Sequence, residues 1–151
     1  GKMPEPIEGY RGKRAEKVHG PGYLEWKGWE QLDIPNAVKP QPEDYVVATG
    51  GQLDRILRKL GVVNLIYTGF ATNLCILDSP AAMKEMAGKG YRTILLRECT
   101  LACEFPDTVK DLLNTRVALR YVEAWVGYTA GLEDFLRACR SATLERRKLE
   151  N

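Results

Sequence analysis

The chain has 151 residues, 44% of them hydrophobic and 28% charged, with a formal net charge of +2. These values are near the globular average and exclude collagen-like, coiled-coil, disordered and disulfide-scaffold classes. The charge is too small to argue for a nucleic-acid partner, and no run reaches the roughly 18 apolar residues of a membrane span.

Residues 1–43 hold six of the eight prolines, and no helical or alternating pattern in them lasts beyond one turn. Such a stretch is expected to wrap over a surface or to form an interface, anchored by Tyr23, Trp26 and Trp29. From Asp44 to residue 140 the texture becomes regular, and an α/β domain is expected there. Tyr45-Val46-Val47-Ala48 reads as a short buried strand. Leu53, Ile56, Leu57 and Leu60 then recur at helical spacing, with Gly61 placed as a C-terminal cap.

Val62 to Tyr67 reads as a second strand, apolar on both faces. A helix is expected from about Thr72 to Met86, and a third strand from Tyr91 to Leu96. Pro106 is expected to open a helix carrying Val109, Leu112, Leu113 and Val117, and Arg120 to Val126 reads as a fourth strand. Leu132, Phe135 and Leu136 mark a last helix, followed by a basic tail over 141–151. Residues 137–151 sum to +3 and the other 136 to −1, which suggests a solvated face rather than a phosphate reader. Apolar strands alternating with helices imply a mostly parallel sheet with helices on both faces, a three-layer α/β/α fold of Rossmann type.

In such sheets ligands bind beyond the carboxyl ends of the strands. There the segment Thr68-Gly69-Phe70-Ala71-Thr72-Asn73-Leu74-Cys75 leaves one strand and enters a helix, with Thr72 or Asn73 as candidate N-cap. Cys75 falls in the first helical turn, where unpaired N–H groups favour the nucleophilic thiolate and could hold an oxyanion. The plain alternative is a small buried filler. Cys99, Cys103 and Cys139 show no comparable setting. Their spacing fits no zinc pattern, and His19 is the only histidine, so no metal and no cofactor is expected. With no apolar signal core at the start, free thiols and a cytoplasmic location are expected.

Tyr67 to Cys75 resembles the active-site turn of the isochorismatase-like cysteine hydrolases, which include nicotinamidases and N-carbamoyl amide hydrolases. The stretch from Gly90-Tyr91 to Glu98-Cys99-Thr100 is similar to the family's next strand, and the likeness runs from about Asp44 to Phe135. The resemblance implies that Cys75 attacks a carbonyl carbon to give a thioester. It implies a cis peptide at Phe70–Ala71 and an oxyanion hole from the Ala71 and Cys75 N–H groups. Thr72 and Asn73 would then brace the turn, and Gly69 would allow close backbone approach. A small-molecule substrate with an amide or related C–N bond and a homo-oligomer are further implications.

The family also uses an Asp at the end of its first strand and a Lys after its third. Neither is visible: Asp33 follows no apolar strand, and Ala48-Thr49-Gly50-Gly51 stands where the Lys should come. The family's sheet order, 3-2-1-4-5-6, would put two strands between 44–48 and 62–67 that residues 1–43 do not contain. Residues ahead of Gly1, a neighbouring chain, or direct pairing of 44–48 with 62–67 would each resolve this, the first being favoured. Glu98 and Glu104 are candidates for the site rim, or else solvated loop carboxylates. The missing partners also leave open a catalytically silent relative that binds a small molecule or serves in an assembly. A redox pair at Cys99 and Cys103 is a weaker option.

Overall fold

The structure is a computed structural model that describes Gly22, Glu25, Lys27 and residues 34–149. The expected anchors Tyr23, Trp26 and Trp29 lie outside the described residues. The chain divides into two units, residues 1–45 and 46–151. In the first, Asn36–Val38 forms one 3₁₀ turn, and Asp44 closes a turn by accepting the Gln41 N–H at 2.8 Å.

The second unit carries the regular elements: α1 (Gly50–Leu60), β1 (Asn64–Phe70), α2 (Cys75–Asp78), α3 (Met83–Gly88), β2 (Arg92–Leu101), α4 (Leu113–Trp125), β3 (Tyr128–Ala130) and α5 (Leu132–Leu149). The three strands form a parallel sheet in the order β1-β2-β3. Parallel neighbours need crossovers, supplied by α2–α3 between β1 and β2 and by α4 between β2 and β3.

Helix α1 forms where its apolar stripe predicts, and both ends are sealed. Thr49 Oγ1 accepts the Gln52 N–H while Gln52 Oε1 accepts the Thr49 N–H, a reciprocal capping box. Gly61 takes φ +66, the left-handed cap that a Cβ would strain. Tyr91 donates its hydroxyl to Asp54 at 2.7 Å and ties α1 to the entry of β2.

Four expectations are corrected. Residues 44–48 form no strand, and Val46 stays exposed. The helix expected over 72–86 is two short ones, because Pro80 offers no N–H and ends α2, and Ala81 follows with φ +66. Pro106 opens no helix. Residues 106–112 are turns, Leu112 adopts φ +49, and α4 starts at Leu113. Arg120 to Val126 is not a strand. It lies mostly inside α4, whose Thr115, Ala118 and Val122 form one buried face, and the last strand is Tyr128–Ala130. Beyond these, α5 continues as helix through residues 141–149.

The core gathers Ile76, Leu77, Met83, Leu95 and Val122, with Tyr67, Leu119 and Val126 packed against it. It therefore lies between α2, α3 and α4 and the face of the sheet that bears Tyr67 and Leu95. In β2 the adjacent residues Leu95 and Leu96 are both buried, so this central strand is covered on both sides. β1 differs. Its inner face is half-buried, but Ile66 and Phe70 on the other face are exposed, and the expectation of burial on both faces fails there.

Candidate active site

The turn that follows β1 is built from contacts on both its flanks. Gly69 has φ +116, a conformation closed to side chains, whereas a Cβ there would meet only ordinary contact with Ile76. The positive φ by itself accounts for a glycine here. The Phe70–Ala71 peptide is cis, as the resemblance implies, and the Phe70 ring is 72% exposed. The Ala71 carbonyl accepts from the N–H groups of Leu74 and Ile76, each at 3.1 Å.

Thr72 is not an N-cap. It is fully buried, donates its N–H to the Leu101 carbonyl at 3.0 Å, and shares a 2.7 Å hydrogen bond with the Thr100 hydroxyl. Asn73 is not a cap either. Its Oδ1 accepts the Cys103 N–H at 2.9 Å and so holds the segment that leaves β2. Leu74 occupies the cap position without a side-chain bond, and Cys75, exposed, is the first residue of α2. Among the described residues, the N–H groups of Ala71 and Cys75 donate to no protein acceptor, and no side chain bonds the Cys75 sulfur. Two N–H groups without acceptors in the same turn as an accessible thiol are groups that an acyl transfer can use where negative charge develops on a carbonyl oxygen.

The carboxylates considered for the rim do other work. Glu98 accepts the Leu132 N–H at 2.8 Å at the start of α5, which holds its carboxyl below the usual range. Glu104 accepts the N–H groups of Asn114 and Thr115 and the Thr115 hydroxyl at the start of α4. Burial pushes the Glu104 carboxyl up, but the Thr108 and Thr115 hydroxyls and these backbone donors outweigh it and hold it at about 2.

A depressed folded value means that Glu104 contributes stability above its ordinary 4.5, lost as pH falls toward about 2. Glu104→Gln should therefore lower the melting temperature at neutral pH and flatten its fall between those two pH values. A titrated thermal melt of both proteins checks this, and parallel curves would refute it.

Tyr67 is no proton carrier. Its hydroxyl donates to the Ala81 carbonyl at 2.9 Å, and burial, helped by Glu85, pushes it up to about 12. A cleft of about 370 Å³ borders the turn, lined by Asn73, Leu77, Asp78, Lys84, Val117 and Tyr121. A second, of about 490 Å³, lies between Thr49-Gly50-Gly51 and Ser79-Pro80. Cys75 lines neither. Lys84 pairs with Asp78 at 2.8 Å and sits 5.0 Å from the centre of the Tyr121 ring. Among the described residues no three His, Cys, Asp or Glu side chains gather as metal ligands.

Sequence reading missed Thr100 and the capping roles of Glu98 and Glu104. The signal for Thr100 was a hydroxyl at the end of an apolar strand, after the polar break Arg97-Glu98.

Comparison with known proteins finds a family model and relatives that cover most of the chain. Residues 27–125 match the Isochorismatase domain. The ureidoacrylate amidohydrolase RutB of Azorhizobium caulinodans is 31% identical over 124 residues, 78% of this chain and 51% of that protein. The RutB protein of Pantoea ananatis is 37% identical over 133 residues, 83% of this chain and 48% of that protein. The chain thus spans about half the length of the curated relatives it matches. A cysteine hydrolase structure from Pseudomonas syringae pv. phaseolicola superposes with a TM-score of 0.61 at 21% identity, covering 89% of this chain and 68% of that one. At that identity the likeness speaks for the fold. With the domain match covering most of its length, the chain belongs to the Isochorismatase domain family.

Proposed function

We propose that this protein is a cysteine hydrolase that opens an amide or related C–N bond of a small molecule through a thioester on Cys75. The observation that carries the reading is an exposed thiol at the start of α2, in a turn whose Ala71 and Cys75 N–H groups donate to no acceptor among the described residues. The sulfur attacks the carbonyl carbon, and the C=O electron pair moves onto oxygen, where the two N–H groups receive it. Collapse breaks the C–N bond, and the nitrogen leaves with its electron pair and takes up the equivalent of the proton that the thiol gave up. Water then attacks the thioester carbon, releases the acid and restores the thiol. Gly69 and Phe70 shape the entrance, and Thr72 and Asn73 hold the turn. Glu98 and Glu104 are spent at helix starts, so neither takes the thiol proton.

Relatives named ureidoacrylate amidohydrolases make a ureido C–N bond the first substrate class to try. The test is intact-mass measurement after acid quench of the chain mixed with ureidoacrylate, alongside assay of ammonia release. An acyl adduct on Cys75 and turnover are expected. A second reading, a relative that binds without turnover, draws on the absence of any side chain bonded to the Cys75 sulfur among the described residues. A ligand-induced rise in melting temperature with neither adduct nor ammonia would establish it in place of the first.

The reading extends to location and assembly. All four cysteines are free thiols, which suits a reducing cytoplasm. No helix among the described residues is long and apolar enough to cross a membrane. Helix α4 turns Leu113, Val117, Tyr121 and Trp125 outward at intervals of four, which supports a homo-oligomer. Light scattering should give a mass above that of one chain, and a monomer at working concentration would refute it.

A further inference from the structure

The site turn is contiguous in sequence, yet its support comes from a strand 28 residues on. β1 and β2 pair in step from Asn64↔Arg92 to Tyr67↔Leu95, and then the register jumps, so that Gly69 faces Thr100 and Phe70 faces Leu101. In uninterrupted register Gly69 would face Arg97. The offset is three residues, and an odd offset exchanges the two faces of a strand. The residues thrown out of step reach sideways: Arg97 bonds the Thr129 hydroxyl at 3.0 Å, and Glu98 caps α5.

The jump delivers Thr100 under the turn. Its hydroxyl lies 2.8 Å from the Gly69 carbonyl, which can only accept, so the single Thr100 hydrogen goes there. The 2.7 Å bond to Thr72 therefore runs the other way, with Thr72 as donor. The result is a directed chain, Thr72 O–H to Thr100 O–H to Gly69 C=O, with both threonines buried. Thr72 N–H on the Leu101 carbonyl adds a third tie. Phe70 and Ala71 are thus clamped between two residues that both bond to Thr100. Among the described residues the Ala71 N–H has no acceptor, so its direction is set by those neighbours.

We propose that Thr100 is a positioning residue for the oxyanion site, fixing the Ala71 N–H through Gly69 and Thr72. This rests on the hydrolase reading above. Thr100→Val keeps the shape and removes the hydroxyl, while Thr100→Ser keeps the hydroxyl. Two reactions of Cys75 separate positioning from mere folding. With p-nitrophenyl acetate, the sulfur–carbon bond forms, the carbonyl oxygen carries charge, and p-nitrophenolate leaves as the C–O bond breaks. With iodoacetamide, the sulfur displaces iodide and no oxyanion forms.

Thr100→Val should slow acetylation about 10- to 100-fold, the scale of a misplacement near 1 Å, while alkylation stays within about twofold. Thr100→Ser should restore acetylation. Equal acetylation in Thr100→Val and the parent chain, parallel loss of both reactions, or failure of Thr100→Ser to rescue would each overturn the assignment. If circular dichroism shows Thr100→Val unfolded, Thr72→Val removes the donor instead and is read by the same two rates. A parent chain that is alkylated at Cys75 but never acetylated would overturn the hydrolase reading itself, and this inference with it.

Discussion

Cys75→Ala should abolish hydrolysis, with turnover falling about 10⁴- to 10⁶-fold, the range seen when a covalent nucleophile is deleted. Steady-state release of product from a ureido substrate measures it. The argument is local. Cys75 opens α2, and on the proposed mechanism its sulfur alone forms the bond to the acyl group, so the oxyanion donors proposed at Ala71 and Cys75 have nothing to act on without it. Because the side chain is exposed, urea unfolding of the variant should shift by less than about 0.5 kcal/mol. A variant that retained one hundredth or more of the parent rate would remove the thioester from the mechanism. Cys99→Ala and Cys139→Ala serve as controls and should leave turnover within about twofold.

Leu95→Ala should cost about 3 to 4 kcal/mol of folding stability, read as a lower urea midpoint at unchanged slope. Leu95 is fully buried in the central strand, facing Ile76, Leu77, Met83 and Val122. These come from α2, α3 and α4, so the cavity opens at the point where three helices meet the sheet. Small domains hold about 5 to 15 kcal/mol in all, so this single change removes a large share. Trp125→Ala, by contrast, takes away a larger side chain that is 79% exposed and should shift the midpoint by about 0.5 kcal/mol or less. A Leu95→Ala loss as small as that of Trp125→Ala would displace the core from the position described.

The contrast between these two residues also explains which parts of the fold were legible. Helix α1 could be read because its signals are local: a stripe at helical spacing, then Gly61 for a left-handed cap. Tyr121, Val122, Trp125 and Val126 misled for the opposite reason. Their branched and aromatic side chains favour strands in isolation, but Thr115, Ala118 and Val122 share the helical face that packs on the core. The start of α4 was misplaced because its N-terminal N–H groups are satisfied by Glu104, a residue ten positions away rather than an adjacent cap. At the site, Gly69 to Cys75 was legible as one contiguous motif. Thr100 was hidden because a register change in a strand leaves no trace in composition, and its hydroxyl matters only once the two strands lie side by side.

That register change makes spacing itself a constraint. Adding or deleting one residue between Leu96 and Cys99 would leave every neighbouring letter unchanged and still swing the Thr100 hydroxyl to the opposite side of the sheet. Substitutions in this short detour that keep its count should be absorbed far more readily than a change of length. An engineer regrafting the turn onto another scaffold would have to carry over both the glycine-led corner and the number of residues in the strand beside it.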